Sequence, residues 1–152
     1  MITDFDSINE GDFVVSLKKE AITQLQLIRY AGASGDFNPI HTIPENAKEA
    51  GLDNTIAHGM LIMGFIGEMI TKNFNINNIK KFSVSFKNIT KLGEKLEAKA
   101  IVKRKITNED GNFAELRVFI DNEAGEIKAD GKVLIYFEDF SAWKLENVEC
   151  KR

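Results

Sequence analysis

The 152-residue chain has one cysteine, two prolines and two histidines. The lone Cys150 cannot close a disulfide within the chain, and thiol-poor composition fits a reducing compartment. Both prolines, Pro39 and Pro44, fall in one short region, so no proline-rich linker divides the sequence. An excess of basic charge is also missing: 20 Lys and Arg stand against 23 Asp and Glu, a formal net charge of −3. Nucleic-acid binding shows a basic footprint, so nucleic acid is not an expected partner. The longest apolar stretch, Ile56 to Ile70, contains His58 and Glu68 and is shorter than the roughly 18 residues of a membrane-spanning helix. No membrane partner is expected. The first residues, Met1-Ile2-Thr3-Asp4-Phe5-Asp6, are acidic where an export signal is basic, and the expected location is the cytoplasm. The two histidines and one cysteine offer no spaced ligand set, so no metal is expected.

What is present reads as one globular domain. Hydrophobic residues at 43% and charged residues at 28% exclude a disordered or collagen-like chain. Phe13 to Leu17 reads as a strand. Thr23 and Gln26 form a capping box, and Leu25, Leu27, Ile28 and Ala31 give the following helix an apolar face to about Tyr30. Gly32 and Gly35 end it, because glycine takes the left-handed conformation at low cost. A short helix starts at Pro44 and stops at Gly51. The next helix, from Gly59 through Gly67, is apolar on every side, which predicts burial on all sides. Gly64 and Gly67 each cost about 1 kcal/mol in a helix interior, and close approach of strands to the helix backbone would compensate.

The second half alternates. Phe82, Val84 and Phe86, then Leu96 to Val102, Ala114 to Ile120, and Ile127 to Phe137 place apolar residues at every second position. Such a period means one buried and one wet face, the antiparallel habit. Turns are expected at Gly93, Asp110-Gly111 and Ala124-Gly125. The fold class is α+β, with an antiparallel sheet curled around one helix.

The chemistry concentrates in Ala33-Ser34-Gly35-Asp36-Phe37-Asn38-Pro39-Ile40-His41. Asn38 before Pro39 is biased towards an extended conformation, and Pro39 resists regular pairing, so a fixed loop is expected. Asp36 and His41 can converge on one water as a general acid/base pair. The same residues can equally be structural, Asp36 capping a turn and His41 opening a helix. His58 reads as a structural polar residue at a helix start.

The run Ser34 to His41, followed by Ala47 and by Ala57-His58-Gly59-Met60-Leu61, resembles the MaoC-like dehydratase family. That family includes the (R)-specific enoyl-CoA hydratases. The resemblance covers residues 8–138 and implies the hot-dog fold, a long helix wrapped by an antiparallel sheet. The organisation expected is a single domain over 1–152 with a C-terminal extension at about 139–152. Phe140, Trp143 and Leu145 of that extension are apolar enough to dock on the body of the protein or on a partner, and a solvated tail is an equal alternative.

The resemblance also implies roles. Asp36 and His41 match the catalytic pair that activates water. Asn38 matches an asparagine that orients the site, and Gly59 the position whose N–H holds the thioester oxygen. The first N–H groups of a helix have no internal partner and face a developing oxyanion well. Gly64 stands where some relatives carry a serine.

The implied activity is reversible hydration of trans-2-enoyl-CoA to (R)-3-hydroxyacyl-CoA, without a cofactor. Two alternatives remain: dehydration of a (3R)-hydroxyacyl group on acyl carrier protein, and a non-catalytic acyl-thioester binding module. Lys80, Lys81, Lys87, Lys91 and Lys95 are candidates for meeting carrier phosphates. Long edge strands need protection, and hot-dog proteins pair edge to edge, so a homodimer or higher homo-oligomer is expected.

Overall fold

The alternating segments form strands; their inner positions are almost fully closed to solvent in the last three, whereas Phe82 and Val84 of the first are partly buried and Phe86 is 51% exposed. The computed structural model describes residues 2–138; the expectations for Phe140, Trp143, Leu145 and Cys150 lie outside them. The strands are β1 (Phe13–Lys19), β2 (Ile79–Phe86), β3 (Leu96–Asn108), β4 (Gly111–Asn122) and β5 (Ile127–Phe137). They form one antiparallel sheet in the order β1-β3-β4-β5-β2. Leu96, Ala98, Ala100 and Val102 of β3 and Ala114, Leu116, Val118 and Ile120 of β4 supply the inner face. The hairpin turns close on Gly111 and Gly125, both at positive φ, as Asp110-Gly111 and Ala124-Gly125 predict.

Gly131 has a different task. It lies in β5 opposite Val84 of β2, and a Cβ there would fall 2.0 Å from the Ser83 carbonyl oxygen. Only glycine lets β2 approach at that point. The alternation of β5 is also imperfect. Lys128 is buried beside Ala129, where the pairing of β4 with β5 shifts between Ile120 and Asp121.

Helix α1 (Gln24–Ser34) begins as expected, with the Thr23 hydroxyl oxygen accepting from the Gln26 N–H. It runs past Gly32 and ends at Gly35, which is left-handed and donates its N–H to the Ala31 carbonyl. The expected apolar face is only half buried: Leu27 and Ala31 face the core, whereas Leu25 and Ile28 are 56% and 51% exposed. Leu27 and Ala31 lie four residues apart on one line of the helix, and the other two fall to its side. Helix α2 (Pro44–Glu49) starts on Pro44, and Gly51 follows it at positive φ.

Helix α3 (Gly59–Asn73) lies across β1, β3, β4 and β5. Leu61, Ile62, Phe65, Ile66, Met69 and Ile70 form its buried face. Full burial of such a side chain contributes about 1.5–3 kcal/mol. The expectation of a helix enclosed on all sides is corrected here. Met60 is 56% exposed, and a Cβ on Gly64 would meet no atom within 4 Å. The sheet covers one side of the helix and leaves the other open within a single chain. Gly67 likewise has only ordinary contact, with the Phe82 ring. Close strand approach therefore does not explain either glycine.

Candidate active site

The left-handed end of α1 turns the chain into the dense segment. The Asp36 carboxylate accepts from the Asn38 N–H at 3.2 Å. The Asn38 side-chain oxygen accepts from the Ile40 N–H at 3.3 Å and so caps the 3-10 turn Pro39–His41. Both short bonds are the local turn chemistry that Asp and Asn offer. They fix the loop and leave the Asp36 carboxylate at the surface. Asn38 is also exposed, and its oxygen serves the loop.

His41 is buried and faces the segment that leads into α3. Its Nδ1 lies 2.8 Å from the Ile56 carbonyl oxygen. A carbonyl only accepts, so Nδ1 carries the proton and Nε2 keeps a free lone pair in the neutral ring. Gln24 clamps the same turn from α1. Its side-chain amide donates to the His41 and Thr42 carbonyls, and its oxygen accepts from the Thr55 hydroxyl at 2.6 Å.

His58 joins this group. It precedes the first residue of α3, yet its side chain makes no capping bond to the helix. Its Nε2 donates to the Asp36 carbonyl at 3.1 Å, and its ring stacks on His41 with centroids 3.8 Å apart. Ligand-capable atoms of Asp36, His41 and His58 lie within 4.8 Å of one another. Spacing along the chain did not show this cluster, because it does not reveal that His58 folds back onto the loop. A metal would compete for the same donors, of which His41 Nδ1 and His58 Nε2 are already committed to carbonyls. The remaining carboxylate and lone pairs are equally the donors of acid/base chemistry.

Gly59 lies at the N-terminus of α3, where the N–H has no partner within the helix. A cavity of about 310 Å³ opens beside it, lined by His41, Gly59, Ile62, Phe86, Lys87 and Thr90 among others. The Phe86 ring covers Gly59 so closely that a Cβ there would meet it at 3.2 Å. Gly64 is not part of the lining. The Thr90 hydroxyl is buried without a hydrogen-bond partner, as is Nδ1 of His58. Among the described residues these are the buried side-chain polar atoms left unpaired. Both belong to this region, and each such atom costs about 1–3 kcal/mol.

Lys128, on the cavity wall, is fully paired instead. Its ammonium donates to the Ile89 carbonyl and meets Glu94 at 2.8 Å, with Glu126 as a third partner. Burial pushes the Glu94 carboxyl up, but Lys128, the Lys91 N–H and Asn122 together hold it below the ordinary value. Of the five candidate lysines, Lys87 reaches the cavity lining. Lys91 pairs with Asp53 and Lys95 with Glu123, while Lys80 donates to the Asn77 carbonyl. A larger cavity of about 510 Å³ lies between the ends of β1, β3 and β4. Its Lys99 is held by Asp121 and Glu97, and no imidazole lines it, so it offers no comparable chemistry.

Sequence reasoning placed Asp36, His41 and Gly59 in one region. It missed Gln24, whose clamp needs Thr55, and Thr90, whose isolation depends on the fold around it. His58 was named but assigned to the helix start. No described helix is long and apolar enough to cross a membrane.

Residues 9–122 match the model of the MaoC like domain family. The chain is 28% identical over 108 residues to the probable enoyl-CoA hydratase 2 of Dictyostelium discoideum, covering 64% of this chain and 37% of that protein. It is 42% identical over 45 residues to a mitochondrial 3-hydroxyacyl-acyl-carrier-protein dehydratase of Arabidopsis thaliana, covering 30% of this chain and 27% of that protein. It thus spans well under two thirds of either relative. The unliganded R-hydratase structure from Pseudomonas aeruginosa superposes with a TM-score of 0.76 at 23% identity, covering 90% of this chain and 87% of that one. That likeness shows the hot-dog fold.

Proposed function

The chain belongs to the MaoC like domain family, and from that premise we propose that it catalyses reversible hydration of trans-2-enoyl-CoA to (R)-3-hydroxyacyl-CoA. The observation that carries this reading is the convergence of the Asp36 carboxylate with the His41 ring within 4.8 Å, next to a cavity that Gly59 also lines. That spacing suits one water held between a carboxylate and the His41 ring, whose Nε2 keeps a lone pair when Nδ1 donates to the Ile56 carbonyl. The water oxygen adds to the β-carbon and a proton goes to the α-carbon. The charge that develops on the thioester oxygen meets the Gly59 N–H and the positive end of α3. One such donor is typically worth about 2.7–4 kcal/mol of barrier. Asn38 acts in this scheme by fixing the loop, through its bond to the Ile40 N–H.

Lys87 is the cation best placed to meet a carrier phosphate, since it lines the cavity. The same chemistry run backwards on acyl carrier protein is favoured by one observation, the likeness to the Arabidopsis thaliana dehydratase. A second copy of the chain is the proposed partner. Both β1 and β2 are sheet edges, and Phe37, Ile43 and Met60 are 67%, 43% and 56% exposed. Light scattering at micromolar concentration is expected to show at least a dimer; a monomer overturns that part.

The test of the reaction is loss of enoyl absorbance with crotonyl-CoA. Wild-type protein is expected to turn it over, and Asp36→Asn and His41→Ala each to lose about 10²–10⁴-fold in kcat while still folded. Activity that survives in both variants places the chemistry elsewhere. No turnover of crotonyl-CoA or longer enoyl-CoA by folded wild type removes the CoA reading.

A further inference from the structure

We propose that His58 is a positioning residue that holds both members of the catalytic pair at once. This rests on the reaction assigned above to Asp36 and His41. His58 is 1% exposed; its carbonyl accepts from the Leu61 N–H of the helix it precedes, but its side chain makes no capping bond there. Its polar contact runs backwards, to the Asp36 carbonyl at 3.1 Å. That bond ties down the backbone of the residue whose carboxylate faces the water. One face of its ring lies against His41 at 3.8 Å and 26°. The Tyr30 ring of α1 also packs against it, tilted, at 5.0 Å.

His41 is therefore restrained in two independent ways. The Ile56 carbonyl at Nδ1 fixes its tautomer. The His58 plane restricts rotation of the ring and so sets the direction of Nε2. Neither restraint alone does both. A general acid or base must hold its nitrogen within hydrogen-bond reach of the transferred proton, and a misplacement of about 1 Å can cost 10²-fold. The unpaired Nδ1 of His58 supports a role beyond packing. A purely structural position of this shape would be filled by an apolar ring with no such loss. An imidazole is the side chain that both stacks as a flat ring and donates from its far nitrogen.

Two variants separate the two contacts. His58→Phe keeps a ring for stacking and loses the donor to Asp36. His58→Gln can keep a donor near the Nε2 position and loses the ring. With crotonyl-CoA, both are expected to lower kcat on the order of 10–10²-fold with KM little changed, at matched folded fraction by circular dichroism. His58→Gln is expected to recover part of the loss if the Asp36 bond dominates, and His58→Phe if the stack does. A kcat per folded molecule equal to wild type in both overturns the proposal.

A second measurement does not need turnover. Nitrogen-15 spectra of the imidazoles should show His41 as the Nδ1–H tautomer in both proteins, because the Ile56 carbonyl remains, with a sharp Nε2 signal in wild type and an exchange-broadened one in His58→Gln. An unchanged His41 spectrum in His58→Gln overturns its positioning by the stack, whatever the substrate. Wild type that is inactive on every enoyl-CoA, with His41 nevertheless loosened in His58→Gln, refutes the assigned reaction and leaves the restraint standing.

Discussion

Lys128 and His58 are hidden to almost the same degree, at 2% and 1% exposure, yet their surroundings are opposite. Lys128 belongs to the sheet. Its ammonium meets the Ile89 carbonyl, Glu94 and Glu126, so its charge is answered. His58 belongs to the junction of the loop and α3. One of its nitrogens serves the Asp36 carbonyl, and the other has no partner. The sheet region satisfies even a buried cation, while the loop region tolerates a loss of about 1–3 kcal/mol per unpaired group. Such unpaired groups are few in a folded protein, and these two sit beside the proposed catalytic pair.

The contrast can be broken first at the sheet. Lys128→Met keeps volume and removes the charge, leaving Glu94 without its main partner. The expected destabilisation is about 3 kcal/mol, at the low end for a broken buried pair because Glu94 and Glu126 retain some contact with water. Thermal melting reads it, and an unchanged midpoint would show that the pairing adds nothing.

At the site the expected effect falls on rate instead. Gly59→Ala pushes a Cβ against the Phe86 ring at 3.2 Å and crowds the N–H proposed for the thioester oxygen. Crotonyl-CoA turnover should drop on the order of 10²-fold. The melting midpoint should barely move, because Phe86 is half exposed and can yield. A large fall in stability with normal turnover per folded molecule reverses that assignment.

The smallest effect concerns acid. The Glu94 carboxyl is held below its ordinary value when folded, so the unfolded chain binds more protons as pH falls through that range. This contribution is complete above about pH 4.3 and is lost as pH falls through the folded value. Glu94→Gln should flatten this part of the acid limb in urea titrations. An acid limb as steep as wild type would show that Glu94 has no part in it.

The sheet was legible because its signal is local. Period-two alternation in β3 and β4 gives their buried faces directly, and the Thr23 cap and the glycine turns are fixed by neighbours in sequence. Lys128 was not legible, since its burial follows from a shift of strand register and from carboxylates brought in by other segments. The surface of α1 failed for a related reason: an apolar stripe says which residues can be buried, not how much of it a neighbour covers. The same limit explains α3, whose Met60 and Gly64 look like core in sequence and stand in the open. At the site, six residues of one motif brought Asp36 and His41 together. The partnership of His58 with both crosses a longer stretch of chain, and the stack depends on ring orientations that no spacing encodes.

The unpaired Thr90 hydroxyl has a thermodynamic consequence. A ligand that offers it a hydrogen bond would supply the partner that no protein group gives it. Occupancy and folding are then linked quantities: the filled protein is harder to unfold than the free one, by an amount that grows with ligand concentration. A ligand with a polar atom matched to that hydroxyl would raise the melting midpoint more than an isostere lacking it. Discrimination between ligands at the cavity would thereby be readable in the stability of the protein, without any turnover.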